Sequence, residues 1–130
     1  MDKDSFMAEF LNYFPEYKVD VEQHLIDYGE LLLHVFIGDT LNEKMIVLLN
    51  DEIKYKSDLK KMFQLLEDMA SEGNPDIKEL LSVTILERLG DDKILLKKSY
   101  KYMGEKTKKA SCSIENFWGR LSLGSVDMFM

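Results

Sequence analysis

Cysteine, proline, histidine and long apolar runs are all scarce in this chain, and each scarcity excludes something. One cysteine, Cys112, leaves no intramolecular disulfide to form. Two prolines, Pro15 and Pro75, leave most of the 130 residues free to wind into helix. Two histidines are too few for a di-iron carboxylate bundle, which needs Glu-x-x-His sets on facing helices. No apolar run approaches the roughly 20 residues that cross a bilayer. The longest, Leu31 to Ile37, is interrupted by His34. The N-terminal MDKDSFMAEF carries acids where a secretory signal carries basic residues and a continuous apolar core, so a cytoplasmic location is expected. There is no Gly-x-x-x-x-Gly-Lys phosphate loop, no Gly-x-Ser-x-Gly elbow and no His-Glu-x-x-His helix. We therefore expect no catalytic residues, no cofactor and no enzyme.

What is present is helical punctuation. Gly73, Gly90, Gly104 and Gly119 fall 17, 14 and 15 residues apart, each after apolar residues at helical spacing. Glycine takes the left-handed conformation that ends a helix at little steric cost. At residues 70–75 Gly73 is placed to close one helix, Asn74 to cap the next and Pro75 to fit its first turn. Phe6, Phe10, Tyr13 and Phe14 give a first helix an aromatic face, capped by Asp4 or Ser5 and stopped at Pro15. Asp20 with Gln23 resembles a capping box opening a long helical region through Phe36, which Gly29 bends or breaks. Gly38 either ends that region or is tolerated inside it, with Thr40 or Asn42 as the alternative restart.

Further along, Ser57 is the expected cap of a helix whose stripe is Leu59, Met62, Phe63, Leu66, Met69 and Ala70. Residues 75–89 are apolar on more than half the circumference, as in a central helix. Asp91 or Asp92 caps the next. Ala110, Ile114, Phe117, Trp118 and Leu121 set the expected buried face of the last helix. The expected fold is all-α: six or seven short antiparallel helices in one domain over residues 1–121, with a loosely held tail over 122–130. The pairs 58–72 with 75–89 and 92–103 with 106–121 suit stacked HEAT-like helix pairs, or else an irregular bundle.

Charge is the other signal. Residues 1–92 carry 21 acids against 9 bases, and residues 93–111 carry seven lysines against Glu105, within a net charge of −7. An acidic body repels phosphate backbones and attracts basic partners. The lysines, interleaved with Tyr100 and Tyr102 but with no arginine, suit a solvated face complementing the acidic body better than a nucleic-acid contact. His24, Asp27, Glu30 and His34 fall within about 120° of arc on an unbroken helix and offer metal-ligand chemistry. Without a facing ligand set the expectation is no metal. His34 is then a semi-buried histidine bonded to a carboxylate, and His24 is exposed.

The segment Asp-Tyr-Gly-Glu-Leu-Leu-Leu-His-Val-Phe-Ile-Gly-Asp, residues 27–39, resembles small, acidic, uncharacterised bacterial proteins reading Tyr-Gly-Glu-Leu-Leu-Pro-His-Val-Leu-Phe-Gly-Asp. Residues 76–87 resemble the same proteins' HEAT-type helix. The chain departs from them at Leu33, where proline is common, and at Ile85, where phenylalanine is. Losing that proline favours an uninterrupted helix here. Some of these proteins are similar to immunity proteins of polymorphic or contact-dependent toxin systems. The resemblance implies a non-enzymatic immunity protein that neutralises a basic toxin domain, such as a nuclease, through an acidic helical surface. Asp27, Glu30, Asp39, Asp51 and Glu52 are the expected partner-binding residues. The alternatives are a general helical adaptor or regulatory subunit, and a metal-binding helical protein using His24 and His34.

Overall fold

The computed structural model describes residues 1–117 and 119, and these form seven helices with no strand among the described residues. Helix α1, Lys3–Tyr13, starts in a capping box one turn earlier than the aromatic spacing suggests. The Asp2 carboxylate accepts from the Ser5 amide, and the Ser5 hydroxyl accepts from the Asp2 amide. Phe6, Phe10 and Phe14 are buried along one face. Pro15 does stop α1, but it opens a short 3₁₀ turn, Pro15–Tyr17, that runs directly into α2, Lys18–Tyr28. Asp20 therefore lies in the first turn of α2 and does not cap it.

Gly29 settles the open boundary: at φ 77° it is left-handed, and its amide closes on the Leu25 carbonyl. The uninterrupted helix through residues 27–39 does not form. Helix α3 starts afresh at Leu33 and runs over residues 33–50, passing Gly38 without a break. Proline at the position of Leu33 would sit in a first turn, where its ring is tolerated, so its absence was no sign of continuity. Gly38 has ordinary right-handed helical backbone, φ −60° and ψ −40°, and the Arg88 guanidinium lies where its β-carbon would be.

Helix α4, Lys56–Glu72, starts one residue before the expected Ser57, after an N-cap residue, Tyr55, that makes no side-chain cap. Its stripe is as expected: Leu59, Met62, Phe63, Leu66 and Met69 are fully buried, joined by Leu65. Gly73 departs from expectation, since its backbone is extended (φ −63°, ψ 141°) and not left-handed. Crowding accounts for glycine here, because a β-carbon would strike the Met69 carbonyl and Ile77. Asn74 caps helix α5 through the Ile77 amide at 3.0 Å, with Pro75 in the first turn.

Helix α5, residues 75–90, is the central one and packs against α1, α3, α4, α6 and α7. Both α3 and α5 are π-wound in the middle, at Gly38–Asn42 and Leu80–Leu86. These wider turns face each other and are cross-linked at Thr84. Its hydroxyl lies 2.6 Å from His34 Nδ1, and its carbonyl accepts from Asn42 Nδ2 at 2.9 Å. Asp92 caps α6, Lys93–Ser99, which rests on α3 and the end of α5.

Helix α7, Glu105–Phe117, corrects the sequence expectation most. It packs on α4 and α5 through Thr107, Ser111 and Glu115, while Phe117 is 77% exposed. The buried face is thus rotated from Ala110, Ile114 and Phe117. Trp118, Leu121 and the tail over 122–130 lie outside the described residues.

Leu66→Ala should cost about 2–5 kcal/mol in chemical denaturation, because the fully buried side chain leaves a cavity that close packing cannot refill. A loss under about 0.5 kcal/mol would contradict the core assignment. A pH effect follows from Glu9 on α1. Burial, a hydrogen bond with Asp68 and the charges of Asp68 and Glu72 raise its pKa from 4.5 to about 7. A raised folded-state value means the contribution is fully present below about 4.5 and lost as pH rises through about 7. Denaturant midpoints should fall across that window, and Glu9→Gln should flatten the fall. Identical profiles for both proteins would refute it.

Candidate partner-binding surface

Asp20 and Asp27 lie seven residues apart on α2, which places them two turns apart on one face. The π-wound middle of α3 brings Asp39 to the same place. The three carboxylates rim a shallow hollow of about 220 Å³ lined also by Gln23, His24, Tyr28, Phe36 and Thr40, with no lysine or arginine. All three aspartates are exposed. Gln23 Nε2 donates to Asp27 Oδ1 at 2.9 Å and holds that carboxylate in place.

One side chain seats this helix. His24 is the single buried residue of α2; its Nε2 accepts from the Leu32 amide at 3.0 Å. Its ring packs 4.5 Å from Tyr28 and edge-on 5.5 Å from Phe36. The expected roles of the two histidines are therefore exchanged. His24 is buried, and His34 is exposed and bonded to a threonine hydroxyl, not a carboxylate. With Gly29 ending α2, the arc of His24, Asp27, Glu30 and His34 on one helix does not exist. Among the described residues no group of three His, Cys, Asp or Glu side chains is placed to hold a metal ion.

The other expected contacts separate. Glu30 is exposed in the turn after α2, close in sequence to Asp27. Asp51 is exposed at the end of α3. Glu52 is committed internally: its Oε1 accepts from Lys101 Nζ at 2.8 Å and from the Tyr102 hydroxyl at 3.1 Å. The bond from Lys101 is the main reason its carboxyl titrates below the usual range.

Glu52 belongs to a second feature, a cleft of about 800 Å³ between α4 and the turn 101–104. Lys56, Lys60, Lys101, Ile53, Phe63, Tyr102 and Glu67 are among its lining residues. Phe63 and Tyr102 stack on its floor, 6.0 Å apart. Glu67 has a structural role that sequence reasoning missed. From α4 it caps α7, accepting the Thr107 amide at 2.9 Å, the Thr107 hydroxyl at 2.8 Å and the Lys106 amide at 3.2 Å. Burial works against that charge, but these bonds outweigh it and its carboxyl titrates low. No local pattern could reveal it, since the capping acid is about 40 residues from the helix it caps. Asp20, which the sequence suggests only as a helix cap, carries a usable signal in its seven-residue spacing from Asp27.

Residues 7–119 match the family model described as Domain of unknown function (DUF7674), and the chain belongs to that family. No curated protein and no solved structure matches the chain.

Replacing Glu67 by Ala should cost about 1 kcal/mol, the usual worth of a helix cap, with loss of helicity at α7. Gly104→Ala should also destabilise, because its β-carbon would meet the Glu67 carboxyl group. Urea unfolding monitored by circular dichroism tests both; unchanged midpoints would remove the capping role.

Proposed function

We propose that this protein is a non-enzymatic binding protein of the immunity type, which neutralises a basic toxin domain, such as a nuclease, by covering it with an acidic helical surface. The observation that carries the reading is the hollow in which Asp20, Asp27 and Asp39 converge without a basic neighbour in its lining. An acidic concavity of this kind attracts a positively charged domain from a distance and opposes phosphate backbones. Nuclease active sites are positive because they bind phosphate, so the same charge that recruits the partner also blocks its substrate. Asp27 and Asp39 are the central contacts, with Asp20 beside them. Glu30 and Asp51 act at the rim, and Glu52 serves the fold. The partner is engaged without metal or cofactor.

Charge reversal at Asp27 and Asp39 should slow association about tenfold or more at low salt and leave the unfolding midpoint nearly unchanged, since these exposed carboxylates supply the long-range attraction that steers encounter. The association rate of wild type should itself fall as salt rises, because screening confines the field to about 8–10 Å near physiological ionic strength. Stopped-flow mixing with a basic toxin domain, sought first among the neighbouring genes, measures both. A salt-independent rate, or a double variant that protects cells as well as wild type, would sink the proposal. So would a gene neighbourhood that encodes no toxin.

A further inference from the structure

The cleft between α4 and the turn 101–104 has Lys56, Lys60 and Lys101 in its lining, in a chain of net charge −7, and its two carboxylates are already satisfied. Glu52 is paired with Lys101 and Tyr102, and Glu67 is taken up by the amides of α7. Lys56 and Lys60, one turn apart on α4, make no ion pair among the described residues, where the ion pairs are Lys44–Glu16 and Lys101–Glu52. Lys98 lies near Glu52 and Lys106 near Glu67, adding positive charge at the rim. Beside these lysines Ile53 is 92% exposed. The cleft is thus basic at its walls and apolar at one edge.

Helix α2 presents the complement. Only His24 is buried, and the opposite face exposes Val19 at 70% and Ile26 at 76%, two turns apart. Glu22 lies between them on that face, and Asp20 and Asp27 flank it about a quarter turn around the helix. An apolar pair framed by carboxylates matches a cleft with an apolar edge framed by lysines. Both surfaces face outward on the same molecule, so they can meet only between molecules.

We propose that the occupant of the cleft is helix α2 of a second copy of this chain. Each contact joins two different patches; a twofold dimer makes it twice, α2 of each copy filling the cleft of the other, and is its smallest closed form. Asp20 and Asp27 of one copy approach Lys56 and Lys60 of the other, while Val19 and Ile26 settle against Ile53. Self-association and an external basic partner then compete for the same acidic helix.

The test uses the purified protein alone, so its failure would leave the external-partner reading untouched. Sedimentation equilibrium should show reversible association that weakens as salt rises. Asp20→Lys with Asp27→Lys, and separately Lys56→Glu with Lys60→Glu, should each weaken it by about tenfold or more. Mixing the two double variants should restore a one-to-one complex, because every contact then pairs opposite charges again. That restoration also shows that both variants fold. A wild type that stays monomeric at low salt would overturn the proposal. So would association that neither double variant weakens, or variants of native circular dichroism that remain monomeric when mixed.

Discussion

The close approach of α3 and α5 is the constraint on which the rest of the structure depends. Gly38 admits the Arg88 guanidinium against the α3 backbone, and Thr84 ties the helices together through His34 and Asn42. Buried polar groups cost free energy unless bonded, so these bonds specify one register where apolar contacts alone would tolerate several. The π-wound turns at Gly38–Asn42 and Leu80–Leu86 belong to the same arrangement, since each rotates the helix after it relative to the helix before. Among the described residues Asn42 Oδ1 meets no hydrogen-bond donor, while its Nδ2 is held by Thr84. Helices α1, α4 and α7 pack around α5, with α4 also touching α1 and α7, and α6 rests on α3 and the end of α5.

That frame divides the charged residues into two uses. Glu52 and Glu67 hold distant elements together, one clamping the turn after α6 and the other starting α7. Lys97 and Lys98 fall in the last turn of α6, where positive charge suits the helix dipole. The carboxylates of α2 and Asp39 have no such structural duty toward a basic group. A run of acids in the first 92 residues looks uniform in sequence, yet only those without internal partners remain to act on another molecule.

Stripes, stops and the all-α class were legible because each depends on residues close in sequence. The α4 stripe from Leu59 to Met69 and the Asn74–Pro75 start of α5 followed from spacing and local capping alone. What escaped depended on residues far apart. Gly73 is small because Ile77 crowds it, not because its backbone is left-handed. Helix α7 buries Thr107, Ser111 and Glu115 because its start is fixed by Glu67 across the fold, which overrides the rotation that its own apolar residues favour. His24 looked solvent-facing among charged neighbours, whereas its ring is what holds α2 to Leu32 and Phe36.

The same pattern bears on the proposed binding surface. Aspartate is short, so fixing it at an interface costs less rotamer entropy than fixing glutamate. The convergent positions are all aspartates, and Asp27 is further held by Gln23. A preformed set of short carboxylates on two helices locked by His24 needs little reorganisation to meet a rigid basic domain. Helix α2, seated by a single buried ring, is also the element whose apolar outer face is least satisfied by its own fold. Pre-ordering lowers the cost of docking, and exposed Val19 and Ile26 supply area to bury on contact. Both features favour an element built to be covered.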